Sequence, residues 1–258
     1  MILRRLAGAL KRQNWTTILI EFVLLVGGVF LGIQAANWNE TRREHALEAE
    51  FIGRLQRDFR VIDARLDDNV SRWQEKGAAP IRLLANVKSF RQRGTWPRPK
   101  EAILQDLTDT MNYRIPAPRS ASYIELVSAG KLGLIRDTVL RDALLTYDTQ
   151  TGFTMKAYDV LVERTDPHMS TIIAHLELNP GIVDPDVIEQ NARTNDIDVW
   201  TDVDLAQLAA DPMLKVALNT FASSSSNQLM VAMMQQQKAR AVMALLEPDA
   251  MRTEGKQP

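Results

Sequence analysis

The chain has 258 residues, of which 45% are hydrophobic and 24% are charged, within the ordinary range of globular proteins. It contains no cysteine, which excludes a disulfide framework and every thiolate-based metal site or nucleophile. The formal net charge of -1 lacks the strongly basic footprint of a dedicated nucleic-acid binder. We therefore expect no nucleic-acid partner, and no motif in the chain predicts a cofactor.

An apolar segment near the N-terminus predicts a single transmembrane helix over residues 15–38. Residues 22–39 form a run of 18 residues without a charge, long enough to cross a bilayer as a helix. Trp15 and Trp38 bracket the segment 23 residues apart, which is about 34 Å along a helix. That separation matches the two aromatic belts of a membrane whose hydrocarbon core is about 30 Å thick.

The charges around this segment predict its orientation. Residues 1–14 form a basic tail without any acid, whereas basic and acidic residues alternate after Trp38; the basic residues of the tail are Arg4, Arg5, Lys11 and Arg12. This bias places the N-terminus in the cytoplasm and the rest of the chain in the periplasm of a bacterial inner membrane. The competing interpretation is a cleaved signal peptide with a small-residue site near Ala35 or Ala36.

Small residues and the only acid of the segment share one stripe of the predicted helix. At 100° per residue the stripe is formed by Glu21, Leu25, Gly28, Gly32, Ala35 and Ala36. A Gly-x-x-x-Gly pair lets another helix approach closely, which predicts a homo-oligomer or an integral membrane partner in addition to contact with the lipid bilayer.

Glu21 has two interpretations. An ionisable residue inside a membrane helix favours a proton or ion relay, or a contact with a basic residue of a partner. Alternatively, Glu21 lies near the cytoplasmic interface and reaches headgroup water or Arg12, because it comes only six residues after Trp15.

Two patches resemble a family of uncharacterised bacterial single-pass membrane proteins. The first reads Glu21, an apolar run with glycines, and then Gln34 followed by Asn37-Trp38-Asn39-Glu40, with Ala36 where the family usually has Asn. The second, residues 123–132 (YIELVSAGKL), is similar to the family's Glu-Leu-x-x-Ser-Gly-Lys-Leu segment. The resemblance implies a single-pass anchor followed by an extracytoplasmic helical domain, and it implies no catalytic activity.

The rest of the chain predicts an all-α fold, an antiparallel helical bundle over residues 39–246 with a long stalk helix over 39–76. Apolar residues spaced by three and four predict a core-facing helix or a coiled-coil seam: Ile52, Leu55, Phe59, Ile62, Leu66 and Trp73, with Asn69 in the same seam. A buried Asn69 would fix the register of the seam, as a buried Asn does in coiled coils, whereas solvent exposure is the simpler expectation. Residues 247–258 are predicted to be a flexible C-terminal tail.

Local signals predict where the later helices begin. Ser120 or Ser122 is predicted to cap one helix, and Asp137 or Thr138 opens a long helix toward Arg164. Pro167 is predicted to start a further short helix that ends near Leu178. No alternating strand pattern is present, and the methionines at helical spacing in the last helix are predicted to lie in the core; they are Met230, Met233, Met234 and Met243.

Candidate chemical sites are weak. His168 and His175 are seven residues apart, which is not the spacing of a helical zinc site, and we expect ordinary surface histidines. Residues 181–211 carry eight acids against one Arg, which suggests a cation site, a basic partner, or simply helix caps. Ion pairs between this stretch and the basic residues 41–100 are a further expectation. No catalytic or metal-binding constellation is apparent.

The sequence therefore predicts a non-enzymatic, membrane-anchored helical accessory, scaffold or sensing subunit that docks through its glycine-rich helix. One alternative is an ion- or proton-coupled subunit of a membrane complex that uses Glu21. The other is a periplasmic ligand-binding bundle that signals through a partner.

Overall fold

The computed structural model describes residues 15–194 and 199–247. The basic tail, Asp196 and Asp198 of the acidic stretch, and all of the C-terminal tail except Glu247 lie outside the described residues. The described residues are mostly α-helical, as the all-α prediction expects. The chain divides into two compact units, residues 1–52 and residues 53–258.

Eight α-helices and two short strands are found in these residues. The helices are α1 (Trp15–Lys76), α2 (Ala79–Arg93), α3 (Lys100–Met111), α4 (Ala121–Ser128), α5 (Thr138–Ile173), α6 (Pro185–Thr194), α7 (Leu205–Ala210) and α8 (Leu214–Leu246). The strands β1 (Leu176–Leu178) and β2 (Trp200–Val203) pair antiparallel. One-turn 3-10 helices lie at Leu132–Leu134 and Pro180–Val183.

The second unit is built around three packed helices, the later part of α1 with α5 and α8. The predicted seam of α1 faces this core, since the side chains of Leu55, Phe59 and Leu66 are fully buried. Phe59 meets Tyr147 of α5 edge to face, with ring centroids 4.9 Å apart. Further along both helices Trp73 and Leu161 share a cluster, so α1 and α5 run parallel.

The helix α8 runs antiparallel to both neighbours. Gln228 donates to the carbonyl of Ala157 at 2.8 Å, and Gln235 donates to Thr151 Oγ1 at 3.0 Å, so rising numbers on α8 meet falling numbers on α5. On the other side, Arg240 donates to Asp63 at 3.1 Å. The antiparallel packing predicted for the bundle is therefore present for α8.

A second apolar cluster lies where the start of α8 meets α2, α3 and β2. Its buried members come from all of these elements and are Leu83, Val87, Ile103, Leu107, Ile172, Val203, Leu208, Leu214, Leu218 and Phe221. Burying a Leu, Ile or Phe side chain contributes about 1.5–3 kcal/mol relative to leaving it exposed. This cluster fixes α2 beside α8, and a groove between these two helices is described below.

The extended segment 112–120 is held by side chains from all three central helices. Asn69 of α1 donates to the carbonyl of Ile115 at 3.1 Å, and Tyr147 of α5 donates to that of Pro118 at 2.9 Å. Gln235 of α8 donates to the carbonyl of Ala117 at 3.2 Å. Burial raises the pKa of the Tyr147 phenol, which therefore stays a hydrogen-bond donor.

Local predictions for the helix starts are confirmed in two places. Ser120 accepts a hydrogen bond from the backbone N–H of Tyr123 and caps α4, and Asp137 caps α5 by accepting from Val139 and Leu140. Gly94 ends α2 in the left-handed region, at φ 74°, where a residue without Cβ is favoured.

Three expectations are wrong. Asn69 is only 6% exposed, because its amide hydrogen bonds to segment 112–120. Pro167 does not start a helix but lies inside α5, where Leu161, Thr165 and Ile172 are buried on both sides of it and hold the helix together. The strand β1 replaces the end of the short helix predicted up to Leu178 and pairs with β2; with three and four residues, the two strands are too short to show alternation.

Candidate functional site

The N-terminal part of α1 is the most distinctive surface of the described residues. Among them it is the one helix segment that is long and apolar enough to span a membrane, with a mean hydropathy of 2.1 over an 18-residue window and no buried residue. Its large apolar side chains from Leu19 to Ile33 are 47–69% exposed. So extensive an apolar surface is unfavourable in water, because single apolar patches on soluble monomers rarely exceed a few hundred Å².

The predicted small-residue stripe lies on this helix. Gly28, Gly32, Ala35 and Ala36 are exposed, and Leu25 is 68% exposed. A Cβ atom added at Gly28 or Gly32 would meet nothing within 4 Å. The stripe is therefore an uncovered helix face at which another backbone can approach closely.

Glu21 lies within the helix and is exposed on the same face as Gly28 and Gly32. Trp38 is 70% exposed. The backbone of Trp15 is helical, whereas its side chain is outside the described part of the structure.

A carboxylate that the sequence did not single out joins α2 to α3. The side chain of Asp106 is 3% exposed and accepts two hydrogen bonds from Arg82, at 3.0 and 2.7 Å, and another from Arg98. Its position one residue before Leu107, on the buried side of an apolar-periodic helix, is the signal that could have found it.

His175 is not the surface histidine that we expected. It follows α5 rather than lying on it, its side chain is 10% exposed, and its Nε2 lies 2.9 Å from Oδ2 of Asp211. Because an ionised carboxylate only accepts, Nε2 donates in this pair. The hydrogen bond from His175 holds the pKa of the Asp211 carboxyl below its ordinary value, against the opposing effect of burial.

Several acids of residues 181–211 are explained by backbone and ion-pair contacts. Asp204 caps α7, Asp184 accepts from the N–H of Asp186, and Asp211 accepts from the N–H of Met213 just before α8. Asp202 pairs with Lys100 at 2.5 Å, which lowers the pKa of that carboxyl and supplies one of the expected ion pairs. Within the described residues no three His, Asp or Glu side chains gather in a metal-binding arrangement.

A groove of about 520 Å³ separates α2 from the start of α8. Leu84, Val87, Leu214 and Leu218 line it with apolar side chains, the last three being 7% exposed or less. On α2 the lining residues recur every three or four positions, so one face of that helix forms a wall. Sequence analysis gave no sign of this groove, because it depends on which helices are neighbours.

The prediction that the methionines of α8 lie in the core is wrong. Met230, Met233 and Met234 are 54%, 48% and 42% exposed and line a shallow surface groove rather than the core, while Met243 is half-buried. The glutamines Gln228 and Gln235 occupy the buried face instead. The side-chain NH2 groups of both glutamines donate to carbonyls of neighbouring segments, a tertiary effect that helical spacing does not reveal.

Comparison of the chain with protein-family models, with curated proteins and with solved structures finds no match in any of the three.

Proposed function

We propose that the chain is a single-pass membrane protein whose helical domain serves as an accessory, scaffold or sensing subunit. Its membrane helix docks on a second copy or on an integral membrane partner. The observation that carries the proposal is the N-terminal part of α1, whose large apolar side chains from Leu19 to Ile33 are exposed. In water this exposed apolar surface is unfavourable. Lipid removes that cost, because hydrocarbon solvates the apolar side chains and the helix forms all of its backbone hydrogen bonds internally.

The docking face is the stripe with Leu25, Gly28, Gly32, Ala35 and Ala36. In lipid there is no hydrophobic driving force between helices, so association depends on close packing, and small residues permit that approach. Open space around Gly28 and Gly32 supports this use of the stripe. The same face carries Glu21, which gains a partner or a proton on association.

The proposed topology places the N-terminus in the cytoplasm and the helical domain in the periplasm of a bacterial inner membrane. It rests on the basic bias of residues 1–14. Because the chain has no cysteine, Ser128→Cys provides a single thiol at an exposed position of the domain. A membrane-impermeant maleimide should label this variant in cells with a permeabilised outer membrane, and labelling only after lysis would refute the orientation.

The docking proposal is tested with full-length tagged protein extracted in a gentle detergent, followed by mass spectrometry of co-purifying chains. We expect either a homo-oligomer or a multi-span partner. Gly28→Leu should remove it, because the added side chain holds the two backbones apart. Gly27→Leu is the matched control, since it makes the same substitution 100° around the helix.

Two results would contradict this proposal. Equal behaviour of the Gly28→Leu and Gly27→Leu variants would show that the stripe has no specific role. A monomer for the unmodified chain, with no partner recovered, would move the search for function to the periplasmic unit.

A second candidate function is an ion- or proton-coupled subunit, and it is favoured by the exposed position of Glu21 on the docking face. Its test is proton flux in vesicles that hold the chain with its co-purified partner. Glu21→Gln should leave the complex assembled and abolish flux. Unchanged flux would assign Glu21 to the membrane interface.

A further inference from the structure

The groove between α2 and α8 has a charge pattern that its apolar lining does not require. Lys88 and Arg91 line the groove from α2, and Lys215 lines it from α8. None of the described residues that line the groove is acidic. An apolar lining with cations on both walls fits an amphiphilic ligand, which has one apolar part and one anionic part.

These cations are available to a ligand. Lys88 and Lys215 are exposed, and neither forms an ion pair with another described residue. Arg91 donates to the carbonyls of Ala209, at 2.9 and 3.1 Å, and of Asp211, at 3.3 Å. These neutral acceptors fix the guanidinium in place without cancelling its charge, which is the preorganisation that favours anion binding.

The size of the groove favours a small molecule over a protein segment. Its volume of about 520 Å³ lies within the usual range of ligand pockets, about 300–1,000 Å³. The α2 wall runs from Leu84 to Gln92, which is about 12 Å at 1.5 Å per residue. A stable protein interface buries about 800 Å² on each partner, far more than a wall of this length provides.

We propose that this groove binds a single-chain amphiphile with an anionic head group, of the fatty-acid type. The alkyl chain lies on Leu84, Val87, Leu214 and Leu218, and the head group lies between Lys88 and Lys215. This site is independent of the docking face on the membrane helix, and either proposal can fail without the other.

The test uses the full-length chain in nanodiscs of uncharged lipid and takes decanoate as the probe. Asn219→Cys, at the rim of the groove, carries an environment-sensitive fluorophore as the single thiol of the chain. Ala241→Cys carries the same fluorophore on an exposed part of α8 that lines neither this groove nor the methionine groove, and it reports decanoate that only enters the lipid. Decyltrimethylammonium, with the same alkyl chain and the opposite charge, is the ligand control.

We expect decanoate to change the fluorescence saturably at the groove label alone. Decyltrimethylammonium should give no such change. An exposed charge pair is worth about a two- to fivefold change in affinity, so Lys88→Gln with Lys215→Gln should raise the half-saturating concentration about tenfold. Lys156→Gln, which removes an exposed charge elsewhere, should leave it unchanged. Leu84→Trp should abolish the response by filling the groove, with helicity measured by circular dichroism to confirm the fold.

Four results would overturn the proposal. Equal fluorescence responses at the two labels would mean that decanoate only partitions into lipid. Equal responses to decanoate and to decyltrimethylammonium, or an unchanged half-saturating concentration in the lysine variants, would remove the role of the cations. If decanoate has no effect and the oxidised Asn219→Cys variant forms a disulfide-linked dimer, a second copy of the chain covers the groove instead.

Discussion

Asp106 provides the most direct test of how α2 is held. Asp106→Ala removes a carboxylate that accepts three hydrogen bonds from Arg82 and Arg98, and it deletes the charge that both guanidinium groups face. Since α2 forms one wall of the groove, the same substitution also loosens the proposed binding site.

The magnitude follows from the exposure of the three side chains. Truncating one partner of a fully buried ion pair costs about 3–5 kcal/mol, because a charge is left without water or partner. Here the acid is 3% exposed but the two arginines are 39% and 38% exposed, so they regain water once the carboxylate is gone. We therefore expect a loss of about 2–3 kcal/mol, the value of one or two charge-assisted hydrogen bonds.

The assay is thermal unfolding of the full-length chain in detergent, monitored by circular dichroism. For a domain of this size 1 kcal/mol corresponds to about 2–4 °C, so Asp106→Ala should lower Tm by about 4–12 °C. Gln105→Ala, an exposed position of the same helix, should cost less than about 0.5 kcal/mol. If the two variants lose the same stability, the hydrogen bonds of Asp106 to Arg82 and Arg98 contribute nothing measurable, which would refute this prediction.

Two further perturbations test the packing and the pH response. Gly77→Ala should destabilise by about 1–3 kcal/mol, because its Cβ would lie 2.3 Å from the carbonyl oxygen of Trp73; Gly133→Ala, where a Cβ meets nothing within 4 Å, should be nearly neutral in the same unfolding assay. His175 lowers the pKa of Asp211, so the stabilisation is full above the ordinary carboxyl pKa of about 3.9 and is lost as pH falls through the lowered value. His175→Ala should therefore flatten the acid limb of the stability profile, and an acid limb of unchanged slope would contradict this assignment.

The sequence predicted those parts of the fold that depend on local rules. The three-and-four spacing of Leu55, Phe59 and Leu66 predicts a buried face because a helix returns to one side every 3.6 residues, and the caps at Ser120 and Asp137 follow from hydrogen bonds within a few residues. In each case the physical cause lies within one helix.

The predictions that failed depend on distant contacts. Pro167 stays helical because buried neighbours on both sides outweigh the lost backbone hydrogen bond. Met233 is exposed and Gln235 is buried, the reverse of their hydrophobicity, and the NH2 group of Gln235 donates to acceptors on α5 and on segment 112–120. The groove, likewise, is a property of two helices and requires their relative placement.

The side chains that donate hydrogen bonds to segment 112–120 set the axial register of the bundle. Asn69, Tyr147 and Gln235 reach it from α1, α5 and α8, so a slide of any one helix by a single residue, about 1.5 Å, breaks its bond to a fixed carbonyl. Apolar packing alone tolerates small slips, whereas a buried amide without its acceptor costs about 1–3 kcal/mol. The three helices therefore share one longitudinal setting, and a force that acts along α1 moves the bundle as a single body.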